Sequence, residues 1–464
     1  MRKYSHLATA LVCLALGAPA PAQAPLPVAS GRPMDIDFAA DPVLRLRLEA
    51  AGYEQFRATI AAAVERHPGT AETTALEDQA IAVLDEAREA RRPTVDATVT
   101  SYRIISREFS NDPGNIIERS RPDQRTDAIL SVQQLLFDFG ASNRRIAAAG
   151  ARLRAAGADT EAAADRVALN AVAAWYDVFG YRALVGLTRA FIDSQRELRA
   201  AVEIRIREGV SAEGDLARVD SYIAQAQTRL ARFQRLLANA EARYTELIGT
   251  APPAGLERAP VPEQPAESAE FAALASQEAP AVRSAEALAD AARQEARAAR
   301  ADTLPQLSAG VDAGRYGVFE TERDYDIRGR LALRYRLFGG GVRPRAEQQA
   351  ARARAADARA GRVREEAARD AAIAWADVRA LEQQLEALED AYIASRRSRD
   401  VIVERFRVAR GTLFDVVAAE DAYFEAATSY IQALTELDAA RYILLSRTGR
   451  LLEVLAIEPD RLRE

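Results

Sequence analysis

The chain has 464 residues, 49% hydrophobic and 28% charged, with a formal net charge of −6, a balance that favours neither nucleic-acid binding nor a basic membrane-surface mode. Its inventory holds 2 His, His6 and His67, and 1 Cys, Cys13, and Lys3 stands alone among the lysines. Nearly all positive charge is therefore Arg, and metal-site or thiol chemistry has almost no candidate residues.

Residues 1–22 read as a secretory leader. Arg2 and Lys3 precede an apolar run that contains Cys13, and small residues around Ala20, Ala22 and Ala24 fit cleavage after Ala22. No later stretch has the roughly 18 apolar residues of a membrane helix, so an exported chain of this kind crosses a membrane only with strands. Residues 23–52 form a Pro- and Asp-containing extended arm.

Residues 53–250 make a first repeat. A helix over 53–90 is interrupted at His67, Pro68 and Gly69 and stopped by Arg92 and Pro93. A hairpin over 94–138 follows: Val95, Ala97 and Val99 alternate on one face, a polar loop spans 109–127, and Ala128, Leu130 and Val132 open the returning strand. Residues 123–251 hold no proline, enough for a helix out and a helix back with a turn at 209–214. The return helix carries Leu216, Val219, Ile223, Ala226, Leu230, Phe233, Leu237, Ala240, Tyr244 and Leu247 in steps of three and four, a coiled-coil seam.

A Pro-rich linker, 251–267, leads to a second repeat, 268–450. Its helix is interrupted at Pro280 and ends at Pro305, and a hairpin over 306–337 follows. Residues 327–337 alternate at period two, with Ile327, Leu331, Leu333, Tyr335 and Leu337 on one side and Arg328, Arg330, Arg334 and Arg336 on the other. A strand with its apolar side in lipid and its cationic side toward a water-filled lumen accounts for that pattern. Gly339, Gly340 and Gly341 break the strand and, like Gly140 in the first repeat, serve as a strand-to-helix joint. The proline-poor run after them predicts a helix of about 65 residues, roughly 100 Å long. Val378, Leu381, Leu385, Leu388 and Tyr392 mark its seam. The second return helix keeps the pattern from Val416 to Leu444, and residues 451–464 are a C-terminal tail.

The two halves are an internal repeat. Trp175 and Trp375, Asp215 and Asp415, Leu216 and Val416, Leu237 and Leu437, and Gly249 and Gly449 recur at one constant offset.

Three segments resemble the outer-membrane efflux proteins, the TolC-like family. They are Gln134-Leu-Leu-Phe-Asp-Phe-Gly140 and Tyr335-Arg-Leu-Phe-Gly-Gly-Gly341 at the strand-to-helix joints, and Arg405-Phe-Arg-Val-Ala-Arg-Gly-Thr-Leu-Phe-Asp-Val-Val417 at a helical turn. The resemblance covers nearly the whole mature length. It implies a mainly α protein with a small membrane β part, in which four strands per chain contribute to a trimeric twelve-stranded β-barrel above a long α-helical coiled-coil barrel. It implies a passive exit duct in the outer membrane of a Gram-negative cell, partnered by a periplasmic adaptor and an inner-membrane ABC or proton-driven pump, with no cofactor, metal or catalytic centre. Physics agrees with the stoichiometry, because four strands cannot close a barrel and open edges are not tolerated in lipid. The Asp415-Val-Val turn and the short carboxyl terminus are more similar to type I protein-secretion members than to drug-efflux members.

Asp215 and Asp415 sit at equivalent turns and have two readings. Each caps the following helix, or a trimer gathers them into a carboxylate ring at the tunnel mouth. The four Arg of 327–337 either set pore charge or pair with Asp96, Asp312 and Asp326, the pairing being the preferred reading. Gly339 to Gly341 lack the Lys and Ser or Thr of a phosphate loop. A soluble periplasmic coiled-coil scaffold or adaptor would explain the helices but not four alternating strands at duplicated positions. An exported hydrolase lacks a nucleophile with a base beside it.

Overall fold

The computed structural model describes residues 26–110, 112–262, 266–320, 324–408 and 410–458. The expected leader, with His6 and Cys13, lies outside the described residues, as do the ends of the arm and tail expectations. In chain order the elements are α1 (Pro42–Arg45), α2 (Tyr53–Arg66), α3 (Pro68–Glu89), β1 (Thr94–Arg103), α4 (Ile116–Arg119), β2 (Gln124–Phe137), α5 (Ala141–Arg207) and α6 (Glu213–Ile248). They continue with α7 (Ala269–Ala275), α8 (Pro280–Ala301), β3 (Gln306–Tyr316), β4 (Asp324–Arg334), α9 (Val342–Arg407), α10 (Leu413–Arg447) and α11 (Leu451–Val454). Two compact units divide them. One takes the chain up to His67 with Asp165–Ala272 and Asp370–Glu458, and the other takes Pro68–Ala164 and Ala273–Arg369. No helix among the described residues is long and apolar enough to cross a membrane.

The second of these units carries all four strands as one antiparallel sheet in the order β1-β2-β3-β4. Val95 faces Val132, Val132 faces Val311 and Val311 faces Gly329, so one odd-even alternation runs through the whole sheet. It collects Val95, Val99, Leu130, Val311, Ile327, Leu331 and Leu333 on one face, and Ile327, Leu331 and Leu333 are 70–71% exposed. The opposite face holds Asp96, Ser131, Asp312, Arg328, Arg330 and Arg334.

Two boundaries differ from the expectation. β2 opens at Gln124, because Gln124–Asp127 pair with Arg103–Thr100 inside what reads as a polar loop. β4 stops at Arg334, opposite Gln306. The residue before Gln306 is Pro305, which has no N–H to continue a ladder. Arg336 therefore lies beyond the strand, and its side chain packs where a Cβ on Gly340 would sit.

In the same unit α5 and α8 are bridged by ion pairs, and Ala148, Ala151, Ala155 and Ala158 of α5 and Ala287, Ala291 and Ala298 of α8 are all buried. Alanine lets the helix axes approach, and it has the highest helix propensity. Arg145–Asp302 (2.5 Å) and Arg154–Asp290 (2.8 Å) line the rim. Each of these half-exposed pairs is worth about 0–1 kcal/mol.

The other unit holds the larger core, built around α10. Val416, Tyr423, Tyr430, Ala433, Leu437 and Leu444 of its seam are buried, and so are Val417, Phe424, Ile431, Leu434 and Leu445 on a second face. α6, its repeat counterpart, buries only the narrower stripe Val219, Ala226, Phe233, Ala240, Tyr244 and Ile248. Phe191 of α5 stacks on Phe424 at 4.5 Å. The repeated tryptophans do equivalent work, since Trp175 Nε1 donates to Glu257 O (2.8 Å) and Trp375 Nε1 to Ala266 O (3.3 Å), each tying a long helix to the connection between the halves. Gly249 and Gly449 take φ of 79° and 72° to end α6 and α10, a left-handed geometry that glycine adopts without penalty. The tail begins as packed structure: Leu451, Leu452, Leu455 and Ile457 are buried.

Candidate functional site

Three groups of residues stand out: the strand-to-helix joints, the turns that link the long helices, and the polar face of the sheet. At the first joint, Asp138 accepts from Gly140 N (3.0 Å), Ser142 N (2.7 Å) and Ser142 Oγ (2.5 Å), so a carboxylate caps the start of α5. Phe139 and Gly140 both have positive φ, 54° and 84°. The second joint has Gly339 where the repeat would place that aspartate, a residue with no side chain to cap the helix. Gly339, Gly340 and Gly341 make the bend instead, with φ of 79°, 74° and 65°. Three successive left-handed residues are accessible only to glycine at low cost.

The turns are brought together in one cluster. Val202, Val219, Phe406, Leu413, Val416 and Val417 are buried against one another, with Ile206, Tyr222, Ile223 and Ile402 around them. Arg205 at the end of α5 donates to Phe406 O at the end of α9 (3.0 Å) and lies over the Phe406 ring at 4.3 Å. Within this cluster each aspartate is committed to its own turn. Asp415 Oδ2 accepts from Thr412 Oγ1 (2.7 Å) and Thr412 N (3.4 Å), while Asp415 N donates to Thr412 Oγ1 (3.2 Å). Asp215 Oδ2 accepts from Ala212 N at 3.3 Å. Both occupy the third helical position of a capping box rather than the N-cap itself. Ala212 has no side-chain oxygen to reciprocate, so the first turn has half of the box. Asp415 remains exposed.

On the polar face of the sheet, Arg328 Nε donates to Asp326 Oδ2 (2.6 Å), and Asp326 Oδ1 accepts from Tyr316 OH (3.1 Å). Asp312 lies directly across from Arg328. Arg330 and Arg334 make no ion pair among the described residues. Asp96 sits on β1, at the opposite edge of the sheet from β4, and pairs with none of these arginines within the chain.

A set of buried charges escapes sequence reasoning. Residues 26–50 dock by them: Asp41, 1% exposed, accepts from Val43 N (2.8 Å) and from Tyr392 OH (2.9 Å) and meets Arg396. Arg399 Nη2 donates to Pro27 O (2.9 Å), and Ser30 N donates to Asp400 Oδ2 (3.2 Å). Arg399 also faces Glu420 at 3.4 Å, where burial pushes the carboxyl pKa up against the pull of that guanidinium. Farther along, Arg258 binds Asp438 in two bonds of 2.5 and 2.7 Å and reaches Arg47 O. Burial opposes charge on Arg258, and the bonds from Asp438 overcome it and hold the guanidinium pKa above its ordinary value. One signal was present: the seam of α9 continued past Tyr392 in steps of three and four arrives at Arg399.

Comparison with known proteins places this architecture. The sequence profile of the outer membrane efflux protein family matches residues 59–250 and 272–450. The chain is 24% identical over 357 residues to the outer membrane efflux protein BepC of Brucella suis, covering 73% of this chain and 77% of that one. The fold is similar to the outer membrane protein VceC of Vibrio cholerae, with TM-score 0.76, 18% identity and coverage of 87% of this chain and 97% of that one. It is also similar to the MtrE outer membrane channel of Neisseria gonorrhoeae in its open state, with TM-score 0.72, 19% identity and coverage of 92% and 95%.

Proposed function

The chain belongs to the outer membrane efflux protein family, and on that premise we propose that it works as a homotrimeric exit duct of a tripartite export system. The observation that carries this reading is the sheet: four strands with two bare edges and one apolar face exposed to whatever surrounds it. Lipid satisfies that face, and only a closed barrel satisfies the edges. Three copies supply twelve strands, within the range of outer-membrane barrels. A soluble periplasmic scaffold would leave both the face and the edges without an occupant.

The long helices α5, α6, α9 and α10 are the periplasmic portion, available to an adaptor protein and through it to an ABC or proton-driven pump in the inner membrane. The duct is passive and carries cargo driven by that pump. Asp215 and Asp415 recur once per half, so a trimer places six carboxylates at the helical turns, where they favour cations entering the lumen. The lumen-facing groups of β4 are Arg328, Arg330 and Arg334.

Two cargo classes fit. The Asp415-Val416-Val417 turn supports type I protein secretion, and the name of the Brucella relative, an efflux protein, supports small-molecule efflux. Deleting the protein separates them: loss of one abundant polypeptide from the culture medium marks secretion, and sensitisation to dyes and detergents marks efflux. Incorporation of the purified protein into planar bilayers should give stepwise, uniform conductance. A protein that inserts but never conducts overturns the duct.

A further inference from the structure

We propose that the bare edges of β4 and β1 join between copies in one fixed register, locked by Asp96 of one copy lying between Arg330 and Arg334 of its neighbour. The proposal rests on the trimeric-duct reading and specifies the contact on which that reading depends.

The registers within the chain, together with symmetry, fix the choice. Followed across the sheet, Val95 leads to Val132, Val311 and then Gly329. Closing a barrel requires that the walk around it return displaced along the strand, the stagger that tilts the strands. Three-fold symmetry divides the displacement equally among the copies. The apolar residues must stay on the outer face, so each copy contributes an even number of residues. With strands about 4.7 Å apart and a rise of about 3.3 Å per residue, a stagger of about four residues per copy tilts a twelve-stranded barrel by about 35°. About two per copy gives only about 19°, whereas about four and about six, at about 35° and about 46°, stand at the two ends of the roughly 35–45° range of outer-membrane barrels, and of these only four keeps every residue of Thr94–Arg103 opposite Asp324–Arg334.

The direction of the stagger follows from the strand lengths. Moved one way, the next copy's Val99 faces Gly329, and the whole of Thr94–Arg103 lies against β4 between Tyr325 and Arg334. Moved the other way, only residues 94–96 meet β4, the rest of β1 runs past its end, and Asp96 faces Asp324. The first direction leaves no unpaired backbone in lipid, and the second leaves most of β1 bare.

Side chains agree with the first direction on both faces. Outside, Val95 meets Leu333 and Ala97 meets Leu331. Inside, Asp96 meets Ala332, and its diagonal neighbours on the same face are Arg330 and Arg334. Diagonal cross-strand neighbours are within reach of long side chains such as Arg. These two arginines have no ionic partner within their own chain among the described residues, in contrast to Arg328, which holds Asp326. Asp96 likewise has none. Three identical Arg-Asp-Arg contacts therefore sit at the three seams of the barrel.

Paired cysteines read the register. Cys13 is the sole native cysteine and is replaced by Ser in every arm. Thr98→Cys is combined with Arg330→Cys, the residue directly opposite in this register, or with Arg328→Cys or Ala332→Cys, one step to either side. Oxidation in isolated membranes should link copies through the Thr98 and Arg330 positions at least fivefold more than through either alternative. Dominance of a shifted pair, or an intact trimer with no link from any pair, overturns the register while leaving the duct standing. A protein that is monomeric and unlinked in every arm overturns the duct itself. The ionic lock is read separately: Asp96→Arg should lower the temperature at which the trimer dissociates on a gel, and adding Arg330→Asp and Arg334→Asp should recover part of the loss. An unchanged dissociation temperature in Asp96→Arg overturns the lock.

Discussion

Leu331 and Ala332 are neighbours in β4, yet they face opposite sides of the sheet, and an arginine at each should have opposite consequences. Leu331 is 70% exposed on the apolar face, next to Ile327 and Leu333. Ala332 shares the other face with Arg330 and Arg334. β4 has 11 residues, Asp324–Arg334, centred on Gly329. With a rise of about 3.3 Å and a tilt of about 40°, Leu331 lies only about 5 Å from the middle of the span. An arginine on the lipid face near the midplane costs about 2–4 kcal/mol. Three copies bring Leu331→Arg to about 6–12 kcal/mol per trimer, enough to prevent assembly. Ala332→Arg adds the same charge one residue away, into water, and opposite Asp96 of the next copy. The assay is the yield of folded trimer in the membrane fraction at matched expression, with total protein measured by immunoblot. The expected result is near-complete loss for Leu331→Arg and near wild-type yield for Ala332→Arg. Equal yields would mean that the two faces are wrongly assigned and that the apolar side does not meet lipid.

Asp438→Ala should destabilise the chain by about 3–5 kcal/mol because it strands the Arg258 guanidinium in the core, whereas Arg258→Met with Asp438→Leu should recover most of the loss; denaturant titration of the detergent-solubilised protein followed by circular dichroism reads both, and equal losses would refute the account. Gly340→Ala should lower the thermal stability by about 1–2 kcal/mol per chain, since alanine is strained at φ +74°. Gly361→Ala within α9, where an added Cβ meets nothing within 4 Å, should raise it by up to about 1 kcal/mol, and a common sign would contradict the joint geometry. In bilayer recordings, Asp215→Ala with Asp415→Ala should abolish block by a trivalent cation and shift the reversal potential in a salt gradient away from cation preference, more so at low ionic strength. If selectivity and block persist, the aspartates act only within their capping boxes, and Arg405, Arg407 and Arg410 are the next groups to replace.

The regular elements were legible because each is a local pattern. Absence of proline over long stretches announces α5 with α6 and α9 with α10, and period-two alternation marks β4 down to the side of each residue. What escaped depends on partners distant in sequence. Asp41 looks like one more polar residue in an unpatterned arm until Tyr392 and Arg396 are folded against it. Arg258 sits in a Pro-rich linker that gives no hint of Asp438 as a partner. The end of β4 is not legible in its own residues because it is set by Pro305, which immediately precedes the neighbouring strand β3. The repeat also suggests more symmetry than exists: α10 buries two faces where α6 buries a stripe, and the Asp138 cap has no counterpart at Gly339. At the turns, spacing places the aspartates, but whether each stands at the N-cap or three residues further in depends on the backbone around Ala212 and Thr412.

Separation of inner membrane, outer membrane and soluble extract, followed by gels run with and without heating, shows where the protein resides and whether it is trimeric. The protein is expected in the outer-membrane fraction, migrating as a trimer unheated and as a monomer after boiling. Recovery as a monomer in the soluble extract, with none in the outer membrane, would contradict the trimeric duct.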